Sequence, residues 1–288
     1  MDLSLTLAIV LVLSLLIGVS LGVLGGGGSI LTVPILVYVA GMDPKEAIAA
    51  SLFVVGVTSA AGAISHARGG RVRWRTGLLF GAAGLVGAFL GGILGGHLPG
   101  ELLLVAFALM MVATSIAMIR GRKVDESKRH SDVPVFRVLL DGLVVGLVTG
   151  LVGAGGGFLV VPALALLGGL PMAVAVGTSL LVIAMKSLGG LAGYLSAVSL
   201  DWGLVIAVTV AAVLGSVAGG RIAGRIPEKA LRRGFGWFVL AMGAFVLVQQ
   251  APNDLAIPIV ATLGGLGLAA GACWKFVSSC PLRSLSHA

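Results

Sequence analysis

The stretch Gly22-Val-Leu-Gly-Gly-Gly-Gly-Ser-Ile-Leu-Thr-Val-Pro34 returns as Gly150-Leu-Val-Gly-Ala-Gly-Gly-Gly-Phe-Leu-Val-Val-Pro162. The offset is 128 residues, and it is kept by Ser51 and Ser179, Ser59 and Ser187, Gly62 and Gly190, Trp74 and Trp202, Gly91 and Gly219, and Pro99 and Pro227. No gap is needed between residues 22 and 103, so coincidence is not a serious explanation. The chain is built twice from one unit, at about 13–118 and 141–246. A membrane protein doubled in this way, with each copy broken by glycines, is most often a transporter.

Composition supports the membrane setting. Of the 288 residues, 58% are hydrophobic and 10% charged, and apolar segments run at 3–24, 29–40, 46–67, 74–96, 101–119, 135–153, 157–168, 172–196, 202–224, 229–249 and 254–274. Most are near the ~20 residues that a helix needs to cross the hydrocarbon core. The expected fold is an all-α polytopic membrane protein: repeat 1 at 1–119, a cytoplasmic linker at 120–137, repeat 2 at 138–250, and a C-terminal transmembrane helix with a cytoplasmic tail at 251–288. The pieces at 29–40 and 157–168 are too short to cross comfortably at ~1.5 Å per residue, and each directly follows a glycine run. Met1-Asp2-Leu3 lacks the basic region of a signal peptide, so the first segment is expected to be retained.

The net charge of +8 would suggest nucleic acid in a soluble chain. Here the basic residues lie between apolar segments, where they set topology instead. In the first copy the basic loop is 68–75, while 97–101 carries no Lys or Arg. The second copy reverses this order: 196–201 has no basic residue, and Arg221, Arg225, Lys229, Arg232 and Arg233 follow one loop later. With basic loops cytoplasmic, the two copies are antiparallel, and each makes an odd number of crossings. Four full helices plus a short fifth satisfy that count, and so do three helices plus a re-entrant hairpin.

Glycine costs a helix roughly 1 kcal/mol per residue against alanine. Irregular backbone cannot face lipid, so the two runs are expected to face protein or a water-filled cavity. Spaced glycines serve close packing instead, and we assign Gly87, Gly91 and Gly95, Gly215 and Gly219, and Gly220 and Gly224 to that role. Amides freed at the breaks attract anions. The candidate substrate site comprises Gly25, Gly26, Gly27, Gly28 and Ser29 in the first copy and Gly153, Gly155, Gly156 and Gly157 in the second. Ser51, Thr178 and Ser179 add hydroxyls from the next segment of each unit, where Ser59 and Ser187 lie eight residues further on.

Lys186 is the one charge deep in its apolar segment, with Thr58 as counterpart. An intramembrane cation defaults to a functional role, here as partner of an anion; pairing with Asp141 or snorkelling is the competing explanation. His66 and Tyr194 occupy matching positions and are candidates for proton coupling or gating. Cys273 and Cys280 have no companions of metal-site type. No nucleophile, metal cluster or dinucleotide fingerprint is present, so neither an enzyme nor a cofactor is expected.

These residues resemble the sulfite exporter TauE/SafE family of membrane transporters. The likeness rests on the doubled glycine signature ending in proline, fullest at 146–162, together with Ala175-Val-Gly-Thr-Ser179, residues 58–66 and the Trp after each following loop. Ser29 stands where the second copy has Gly157. The resemblance implies transport of small sulfur-containing oxyanions or organosulfonates, such as sulfite or sulfoacetate, coupled to protons in a bacterial cytoplasmic membrane. An anion channel, a carrier of a non-sulfur anion and a membrane scaffold stay open as alternatives, as do direction and oligomeric state.

Overall fold

The computed structural model describes residues 3–24, 27–120, 135–153, 157, 160, 164, 172–222 and 228–250. Among these the elements are α1 (Leu3–Leu24), a 3₁₀ turn (Gly27–Leu31), α2 (Thr32–Tyr38), α3 (Pro44–Arg68), α4 (Trp74–His97), α5 (Gly100–Arg120), α6 (Val135–Val152), α7 (Met172–Tyr194), α8 (Trp202–Ile222) and α9 (Glu228–Gln250). The described chain is all-helical, with five helices long and apolar enough to cross a membrane by length and composition. Most of the linker and all of the expected C-terminal helix, with both cysteines, lie outside the described residues.

Repeat 1 therefore has four long helices and one short broken one, Gly27–Tyr38, between α1 and α3. The short element ends on solid signals: Gly41 turns at φ +71°, and Asp43 caps α3 by accepting from the Lys45 amide at 2.9 Å. Pro44 occupies the first helical position, where its missing N–H costs nothing.

The two units interlock. α1 of the first packs along α8 of the second, and α6 of the second packs along α4 of the first. These contacts are copies of each other: a side chain at Gly18 would strike the Ala212 carbonyl, and one at Gly146 would strike that of Gly84. Gly22 faces Ser216 as Gly150 faces Ala88, and Gly219 faces Val19 as Gly91 faces Leu147. Every member of each pair has its mate 128 residues away, so the duplication in sequence is a twofold repetition in packing. Backbones approach this closely only where no side chain intervenes, which explains the glycine spacing of four along these faces.

Helix directions follow from the same contacts. Residues 18 and 22 meet 212 and 216, so α1 and α8 run parallel, as do α4 and α6. Leu52, Gly56 and Gly62 of α3 instead meet Gly190, Ser187 and Leu180 of α7, so these two mates run antiparallel. Their crossing is centred near residues 57–58 and 185–186. Phe53 stacks edge-on against Trp202 with ring centroids 5.4 Å apart, which sets the start of α8 beside the first turns of α3. α1 and α8 thus point the same way, and among the described residues repeat 1 has four long helices and one short one.

Large apolar side chains on α1, α4 and α8, including Leu16, Phe89, Leu94 and Leu214, are exposed, while serines and threonines are buried. Such an inside-out distribution suits a lipid surround, in which apolar surface needs no cover and polar groups need internal partners. The main core joins Ile30, Leu36, Ile48, Phe107, Val208 and Val246. A smaller one gathers Val160 and Leu164 with Phe80 and Val182. Val160 and Leu164 are the mates of Thr32 and Leu36, so both short segments seat on equivalent ground.

One expectation needs correction. Gly220 faces open space, with nothing within 4 Å of where its side chain would begin, so it is not a packing glycine. Its neighbour Gly219 fills that role, and spacing alone cannot tell which of two overlapping glycine registers meets a helix. Gly224 lies outside the described residues.

Candidate functional site

The last turn of α6 and the glycine break after it are held from three directions. Gly153 leaves the helix at φ +74°, a left-handed conformation that favours glycine, and a side chain there would also run into Ile48 Cγ2. Ser51 Oγ, on α3 of the other repeat, lies 2.7 Å from the Gly153 carbonyl oxygen and 2.7 Å from that of Ile48, one turn back in its own helix. Tyr194 at the end of α7 is fully buried and donates its hydroxyl to the Leu151 carbonyl at 2.5 Å. Carbonyls at a helix C-terminus have no intrahelical donor, so both bonds satisfy groups that would otherwise be orphaned.

Lys186 supplies the third hold. It is 1% exposed, and its Nζ donates at 3.1 Å to Thr149 Oγ1, which itself donates to Val145 O at 2.7 Å. Among the described residues Lys186 has no carboxylate partner, and the alternative of an ion pair with Asp141 is not realised. Its Cβ stands beside Gly84 of α4, 3.8 Å from where a side chain there would begin. A lysine amine is thus fixed one turn before the glycine break.

Among the described residues, repeat 1 shows no counterpart of the Lys186 and Tyr194 holds. Ser179 Oγ donates to Val176 O at 2.7 Å, a copy of the Ser51 bond to Ile48, and Ser179 has a further interaction besides. Thr58, the mate of Lys186, bonds only back to Val54 O at 2.6 Å. His66, the mate of Tyr194, is half-buried, and its Nδ1 has no hydrogen-bond partner.

The remaining candidates fall as follows. Gly27 and Gly28 lie in the 3₁₀ turn with the fully buried Ser29, which is not without a partner. Gly157 is helical and buried; Gly25, Gly26, Gly155 and Gly156 lie outside the described residues. Thr178 does not join the breaks: its Oγ1 accepts from the Arg73 amide at 3.0 Å and fastens the 69–73 loop to the start of α7. Residues 178 and 179 are about 100° apart on a helix, so neighbours in sequence serve different faces. Thr149 and Ile48 escaped the sequence reading, and Gly95, read there as a packing glycine, leaves room for the Tyr194 hydroxyl. Thr149 carried a signal, being the lone hydroxyl in the stretch 142–152 that runs into the break.

An all-helical, multi-pass chain whose halves interlock, with a side chain of one bonded to the broken helix of the other, has the construction of a membrane transporter. The chain belongs to the sulfite exporter TauE/SafE family, whose model matches residues 10–246. It is 36% identical over 239 residues, covering 81% of this chain and 91% of the relative, to a probable membrane transporter protein of Xylella fastidiosa. A probable membrane transporter protein of Methanocaldococcus jannaschii is 29% identical over 262 residues, with 85% and 96% of the two chains covered. One from Bacillus subtilis is 27% identical over 228 residues, covering 78% and 93%. No solved structure matches the chain. The names of these relatives are those of membrane transporters, not of enzymes.

Proposed function

We propose that the protein is a secondary transporter that moves small sulfur-containing oxyanions or organosulfonates, such as sulfite or sulfoacetate, across a bacterial cytoplasmic membrane. The two units are inverted in the membrane, and their rocking gives alternating access. The observation that carries this reading is the bond from Ser51 to the Gly153 carbonyl: a side chain of one unit holds the break of the other, so the units cannot move apart without changing the geometry there. Antiparallel packing of the mates α3 and α7 and the reversed order of basic loops support the inversion. On this reading the linker and the C-terminus are cytoplasmic.

The substrate is held at the two breaks. Backbone amides at the start of a helical turn lack an intrahelical acceptor and suit an anion. Residues 25–29 and 153–157 supply that backbone, Ser51 and Ser179 flank it, and Lys186 balances the charge. His66 Nδ1, free of any protein partner, is the group through which a proton would be coupled.

A ligand that binds only the folded protein raises its stability by RT ln(1 + [L]/Kd), about 2.7 kcal/mol at a hundredfold excess over Kd. Purified protein melted with sulfite, sulfate, thiosulfate, sulfoacetate, taurine or acetate is expected to rise in Tm with a sulfur oxyanion or sulfonate. A rise with acetate alone would overturn the substrate class.

A further inference from the structure

Buried hydroxyls in this protein follow one habit. Ser14, Ser51, Thr58, Ser115, Thr149 and Ser179 each donate to a carbonyl three or four residues back in their own helix. Such bonds satisfy a hydroxyl where water is excluded. Ser59 and Ser187 break the habit. They are 0% and 1% exposed, and neither Oγ has any hydrogen-bond partner. An unmade bond of this kind is costly, and a buried orphan in a native structure asks for an explanation.

The two exceptions are mates, 128 residues apart, on the antiparallel pair α3 and α7. Ser187 faces α3, its Cβ standing 3.4 Å from where a side chain at Gly56 would begin. Ser59 holds the equivalent position on α3. Both lie within two residues of the centre of the α3/α7 crossing, where the pseudo-twofold axis passes. Each is eight residues, about 12 Å of helix rise, beyond the serine that flanks its break. The third orphan, Thr32 Oγ1, has the apolar mate Val160, so it belongs to no symmetric pair.

We infer that Ser59 and Ser187 form a second anion position, on the symmetry axis, where the substrate is held midway between the two break sites. The inference rests on the transport reading above. At the axis both units contribute equally, so an oxyanion there accepts one O–H from each and is bound alike from either side of the membrane. The orphan hydroxyls are then donors kept for a passing ligand. The Lys186 side chain, rooted one residue from Ser187, favours an anion over a metal cation.

Sulfite counterflow into proteoliposomes tests this with S59A, S187A, the double variant and S115A, whose hydroxyl bonds its own helix. The double variant is expected to lose at least tenfold in initial rate with its Tm unchanged or raised, since an unsatisfied buried hydroxyl has been removed. Each single is expected to lose at least threefold, the two to similar extents, and the singles carry the test if the double does not assemble. S115A is expected to keep the wild-type rate. Wild-type flux in the double variant, or an equal loss in S115A, overturns the axial position alone. A wild-type protein inert to sulfite overturns the transport reading for this substrate and the inference with it.

Discussion

Gly153→Val is expected to abolish anion transport and to destabilise the protein by about 3 kcal/mol. Two costs combine. A β-branched residue held at the observed φ of +74° is strained by roughly 1–2 kcal/mol. Its side chain would also press on Ile48, and overpacking typically costs about 1–3 kcal/mol. Relief requires the break to move away from α3, which separates the Gly153 carbonyl from Ser51. Gly220→Val is the control. It too puts a β-branched residue for glycine, but into open space, and its effect should stay within about 1 kcal/mol with transport retained. Thermal melts in detergent and flux in proteoliposomes read both quantities. Wild-type flux from Gly153→Val would mean that the left-handed turn is not needed.

Lys186→Met is expected to reduce flux by more than a hundredfold while stabilising the protein. Methionine keeps the length of the stem and removes the ammonium. A buried donor group with one acceptor, Thr149, for its three N–H bonds carries an unmet cost of about 1–3 kcal/mol, which the variant no longer pays. Opposite changes in stability and flux are what a group retained for an anion should give. A lysine serving only to hold Thr149 predicts the reverse, a lower Tm with flux preserved.

Much of the architecture was legible because it is written in spacing. The 128-residue offset named the mates, and glycines four apart on α4 and α8 named faces that meet backbone to backbone. Which helix lies opposite was not legible. Nothing local says that α1 packs on α8 of the other unit, since a glycine face records closeness and not the identity of its neighbour. For the same reason Gly219 and Gly220 looked alike, although only one is buried against a helix.

At the candidate site, residue type was a better guide than adjacency. Ser51 was singled out by its pairing with Ser179, and the structure adds its partner, the Gly153 carbonyl. Thr178 was drawn in as a second hydroxyl near the run, and its Oγ1 accepts from the Arg73 amide. Among the described residues the Lys186 and Tyr194 holds on α6 have no counterpart at their mates, through substitutions that look modest in sequence: Lys186 against Thr58, Tyr194 against His66, and Thr149 against Leu21. Each replaces a long polar side chain that reaches α6, or its acceptor, by one that does not reach α1.

The central claim is that this chain carries an anion by alternating access and does not conduct it through an open pore. Sulfite counterflow is the most direct measurement: proteoliposomes loaded with unlabelled sulfite are diluted into a trace of labelled sulfite, with and without a pH gradient. The account predicts transient accumulation of label that requires internal sulfite, saturates with concentration and responds to the gradient. Entry of label that is linear in concentration and indifferent to internal sulfite would contradict it.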